Sequence, residues 1–247
     1  MLRFRPIGRC SDFLSELEEV LVLFILLILV HFIEHGFVYS VNAVFIFLIL
    51  VIFQFVLIYR AKSLLDFATL QAARAGAVSG VSHSEMRSAL EMAMAPLYAT
   101  SPDAAGAVAA RAKVALLWKN PLLSPKIEVI SPSRAAYNEF RERQFDGRYA
   151  LPNDNLAFRD ARVGGSRVSV QDANILKIKV TYPMPLIVPF ADRVIAGLSD
   201  LVSGGDSFRP ASMLIEDPIT GHRRMPIESY AIVRMQSPVH DSNNLAR

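Results

Sequence analysis

Residues 37–59 carry no charged side chain, and this run limits the fold more than any other feature of the chain. As a helix it would be about 34 Å long, enough to cross a ~30 Å hydrocarbon layer with some tilt. Asn42 and Gln54 are its strongest polar points, and a helix can carry both. Tyr39 and Tyr59 stand near its ends, where amphipathic rings favour the headgroup layer. Arg60 and Lys62 follow at once, with stems long enough to snorkel. The run predicts a transmembrane helix.

A second apolar run, residues 20–33, precedes it. That run is shorter than the usual minimum of about 17 residues for a span. Glu34, His35 and Gly36 separate the two. Three readings fit: an interfacial or re-entrant segment before one true span, a tight hairpin of two spans, or a signal-peptide core with Val41 and Ala43 at a V-x-A site. The third leaves too little apolar chain for a comfortable anchor. Arg3, Arg5 and Arg9 favour a cytoplasmic N-terminus, but Arg60, Lys62 and Arg74 also favour the cytoplasmic side. Taken literally, that charge rule selects the hairpin.

Composition adds exclusions. Hydrophobic residues make up 52% of the 247, most of the excess lying in the two apolar runs, and the rest reads as a soluble domain able to bury a core. A net charge of +3 with no basic stripe is too small to argue for a nucleic-acid footprint, so no nucleic-acid partner is expected. Cys10 is the only cysteine, so no intrachain disulfide and no thiol-rich metal site can form.

Beyond the span, a helix continues through residues 61–79. Ala68, Ala72, Gly76 and Gly80 recur every four residues and make one smooth face. Such a face admits a close helix partner, or packs within its own domain. Ser82 and Glu85 have capping-box spacing ahead of a helix carrying Met86, Leu90, Met94 and Leu97 on one side. Ser101 as cap, Pro102 and Asp103 open a third helix, running to about Trp118. Strands are expected at 126–130 and 175–182, the second alternating cleanly and ended by Pro183, Pro185 and Pro189. A short helix near 135–143, a helix at 190–201 and a hairpin of 211–216 with 227–235 complete the pattern, and the tail after Pro238 reads as frayed. The fold class is therefore α+β. A long N-terminal transmembrane helix continues into a helical stalk, followed by a small mixed domain with an antiparallel sheet. The domains are 1–36, an N-terminal segment with the short apolar run; 37–80, the membrane helix and its extension; and 81–247, an α+β domain.

Catalytic signals are sparse. His31, Glu34 and His35 match H-x-x-E-H, which puts two imidazoles one helical turn apart beside a carboxylate, as some zinc hydrolases require. The motif lies at the bilayer without a nominated third ligand, so it reads as a polar break between apolar runs and only secondarily as a metal site. His83, His222 and His240 are isolated, and Gly164-Gly165 and Gly204-Gly205 read as turns.

Residues 55–78 read FVLIYRAKSLLDFATLQAARAGAV. This resembles the TadE-like family of the Tad (tight adherence, Flp-type) pilus system, over about 40 residues ending at Gly80. The matching positions are Tyr59, Ala61-Lys62 and Ala72-Ala73-Arg74-Ala75-Gly76-Ala77. The resemblance implies a non-enzymatic, minor pseudopilin-like assembly subunit in the bacterial inner membrane, single-pass, with its C-terminal domain in the periplasm. Its implied partners are the bilayer, other pilin or pseudopilin subunits and inner-membrane assembly proteins, with no cofactor. Processed family members have a Gly before the cleaved bond and a Glu five residues after it. Gly36-Phe37 is the junction to consider here, but Val41 stands where that Glu belongs and Glu34 precedes the Gly. A different class of reading is a membrane-tethered metal-dependent enzyme or transport accessory using His31, Glu34 and His35.

Overall fold

The structure is a computed structural model that describes residues 36–188, 215–216 and 223–246. The first apolar run, the H-x-x-E-H residues His31, Glu34 and His35, and the helix expected at 190–201 lie outside the described residues.

One helix, α1 (Gly36–Val78), runs unbroken for 43 residues, about 65 Å. Apolar and helix-favouring residues fill it without an internal proline. It ends where Ser79 and Val81 donate back to Ala75 and Gly76, with Gly80 and Val81 both at positive φ. Gly80 takes that left-handed step without a Cβ penalty. Helix α2 (His83–Met94) then folds back, capped by the Ser82 hydroxyl, and buries Met86, Leu90 and Met94. Helix α3 (Ala104–Leu117) is capped by Asp103 rather than Ser101, whose hydroxyl instead donates to the Asp103 carboxylate.

The sheet has the order β1-β4-β6-β5, all antiparallel. Its strands are β1 (Lys126–Ser131), β4 (Ile175–Pro185), β5 (Ile215–Glu216) and β6 (Arg223–Arg234). Between β1 and β4 lie the short helices α4 (Arg134–Phe140) and α5 (Val170–Ala173) and the small ladder of β2 (Glu142–Arg143) with β3 (Tyr149–Ala150). Among the described residues this is an α+β arrangement: one long apolar helix, shorter helices and a small antiparallel sheet.

The expected hairpin arm at 227–235 begins earlier, at Arg223, and the expectations for β4 and for the tail also need correction. Strand β4 does not stop before Pro183; it continues to Pro185, with Pro183 directly opposite Pro226. Opposed prolines fit a rung that exchanges no hydrogen bonds, so neither missing N–H breaks the ladder. The tail is not frayed. Val239 and Leu245 are buried, Leu151 N–H donates to Val239 O, and Arg134 N–H donates to Ala246 O. The Tyr137 hydroxyl donates to His240 O at 2.9 Å.

The sheet lies lengthwise along the C-terminal half of α1. Asp66 accepts from the Ser229 hydroxyl, and Ala77 O accepts from Gln236 and Ser237 N–H, so β6 runs with the helix. Gly76 lies beside Leu176, and Gln54 beside Val188, so β4 runs against it. The core fills the space between: Leu65, Met86, Trp118, Leu176, Ile178, Val180 and Tyr182 are fully buried or nearly so.

Candidate membrane helix and packing face

Helix α1 is two different objects end to end. From Val41 to Tyr59 its side chains are largely bare: Val41, Phe45, Leu48, Ile52 and Phe55 are exposed, and Tyr59 is 76% exposed. From Ala61 onward one side is sealed, with Ala61, Leu65, Ala68, Ala72 and Ala73 all at 0%. It is the one helix among the described residues that is long and apolar enough to cross a membrane. In water such a bare stretch would expose far more contiguous apolar surface than monomers usually show. In lipid it needs no cover, since every internal backbone group is satisfied within the helix. The described residues thus carry one helix suited to anchoring the chain in a membrane.

The small-residue face belongs to the second object, and the chain itself occupies it. A Cβ on Gly76 would meet the Met86 sulfur at 2.7 Å and Leu176 Cδ2 at 3.0 Å. A Cβ on Gly80 would meet Pro238 O at 2.9 Å. Ala68, Ala72, Gly76 and Gly80 therefore let α2, β4 and the chain after β6 approach the α1 backbone, and the expected opening for a partner helix is filled from within. The physical reason is that small spacing reports a close neighbour without naming its source.

The positions quoted for the family resemblance fall on both sides of α1. Ala61, Ala72, Ala73 and Ala77 are buried, whereas Tyr59 and Arg74 are exposed. Lys62 is half-exposed and pairs with Asp66 one turn on, a geometry worth a few tenths of a kcal/mol. Gly36 and Phe37 are helical.

In the sequence Gln54 is only a tolerable polar point of the span; in the structure it does more. It is 2% exposed, and its Oε1 accepts from Val188 N–H at 3.1 Å. Its Nε2 is buried without a hydrogen-bond partner among the described residues. No local sequence signal marks that contact, because Val188 lies 134 residues away.

Away from α1, a surface cleft of about 410 Å³ is lined by Glu139, Arg141, Glu142, Arg159, Asp160 and Arg162, among others. Some of its charged groups are already engaged. Arg159 bridges Glu142 at 2.7 Å and Asp154 at 2.9 Å, and Glu139 accepts from Gly165 and Ser166 N–H. Among the described residues no three His, Cys, Asp or Glu side chains are grouped to hold a metal ion. No protein-family model, no curated protein and no solved structure matches this chain.

Proposed function

We propose that this chain is a non-enzymatic, membrane-anchored assembly subunit, a minor pseudopilin-like protein of a Tad-type pilus or secretion system. It would sit in a bacterial inner membrane with its domain in the periplasm. The observation that carries the reading is the division of α1, whose bare apolar half passes without a break into the half that forms the spine of the domain. A helix built this way stands in lipid alone and packs equally well among similar apolar helices, because lipid tails and apolar side chains offer it comparable surroundings. The resemblance at Tyr59, Lys62, Ala72, Arg74 and Gly76 supports the choice of system. Since Ala68, Ala72 and Gly76 are covered within the chain, subunit contacts fall to the bare half, around Val44, Leu48 and Ile52.

The test is site-directed cross-linking in piliated cells. In a Cys10→Ser background, Leu48→Cys should cross-link to a pilin or pseudopilin helix, and Tyr230→Cys, on the outer face of the sheet, should not. A reporter active only outside the cytoplasm, joined after Arg247, should be active. Extraction without detergent, a silent reporter, or Leu48→Cys cross-linking to no other subunit would each defeat the proposal.

A further inference from the structure

The contact between Gln54 and Val188 brings part of the domain to the level of the charge-free run of α1. Gln54 lies inside the charge-free run, five residues before Tyr59, or about 7–8 Å along the helix axis. The chain leaving β4 reaches that level, because Val188 N–H is bonded to the Gln54 side chain. Leu186 is buried in the same segment and Ile187 is 60% exposed. Residues 180–191 carry no charge. At the same level on α1, Ile52, Phe53, Phe55 and Val56 are exposed. The exposed Ile187 thus stands at the level of exposed apolar side chains of the span. A backbone N–H in hydrocarbon must be satisfied internally, and Gln54 supplies that acceptor at the place where the strand has left its ladder.

We propose that residues 185–188 form a lipid-contacting lip, so that the domain dips into the headgroup–acyl boundary beside its own span. The occupant is the bilayer, because the lip stands level with exposed apolar side chains of the membrane helix. Arg60, exposed just above, would lie at the headgroups. The inference rests on residues 37–59 being the span, and it adds that the domain is partly seated in the membrane.

Spin labels on the full chain in phosphatidylcholine–phosphatidylglycerol vesicles test this. In a Cys10→Ser background, labels are placed at Ile187→Cys, Phe45→Cys and Tyr230→Cys, and collisions are measured with oxygen, which enters the bilayer, and with a water-soluble nickel chelate. The oxygen-to-nickel ratio at Ile187 should be several-fold higher than at Tyr230 and should approach that at Phe45. A nickel-accessible Ile187 beside a lipid-shielded Phe45 overturns the lip and leaves the anchor standing. A label at Ile187 hidden from both reagents means protein covers it, which also overturns the lip. A nickel-accessible Phe45 overturns lip and anchor together.

Discussion

Tyr98 and Tyr182 join their hydroxyls at 2.6 Å beneath the sheet, and Tyr182 is almost fully buried. Burial raises both phenol pKa values above the ordinary tyrosine value of 10.0. The unfolded chain releases these protons near pH 10, while the folded chain holds them longer. Above that pH the folded state binds more protons than the unfolded one, so stability falls as pH rises, and the contribution is complete below about pH 9. A spectrophotometric titration of the folded protein in detergent should show Tyr98 and Tyr182 ionising late. Urea midpoints should drop between about pH 10 and 12 more steeply in the parent than in Tyr98→Phe/Tyr182→Phe. Ionisation of Tyr98 and Tyr182 near pH 10 would show that the pair is open to water.

The seam between α1 and the sheet is the element on which the small residues act. Gly76→Leu gains somewhat under ~1 kcal/mol of helix propensity, yet it must displace Met86 and Leu176 from contact. Overpacking of this kind costs about 1–3 kcal/mol or more, so the melting temperature should fall by roughly 5–10 °C. Arg74→Leu, on the exposed side of the same helix, should move it little. Unchanged melting in Gly76→Leu would mean that the seam is loose. The face itself was legible in the sequence because a four-residue repeat survives on any helix. Its partner was not, because Ala and Gly specify proximity and not whose backbone arrives. The alternation of Leu176, Ile178 and Val180 likewise disclosed β4. The local rule that proline ends a strand then failed at Pro183, where Pro226 on β6 sets a rung that needs no N–H. The Gln54–Val188 contact escaped altogether, since neither residue is unusual in its own neighbourhood.

At the scale of the whole molecule, the last residues close the fold. Leu245 is buried, and the neighbouring backbone ties the start of α4 to the chain end. Leu245→Ala should cost about 2–5 kcal/mol in denaturation of the detergent-solubilised protein. A cost below about 0.5 kcal/mol, normal for a free surface position, would restore the frayed-tail reading. The tail looks frayed in sequence because Val239 and Leu245 are separated by polar residues, and their partners lie about a hundred positions earlier. The lengthwise seating of the sheet on α1 also has a mechanical consequence. Anchor and core share one helix, and no flexible joint separates Tyr59 from Ala61. A pull on the span is therefore borne by the sheet as shear, spread over about 24 Å between Ala61 and Ala77. The packed side chains along that length must give way together, so drawing the anchor away from the domain is the same event as rupturing the domain.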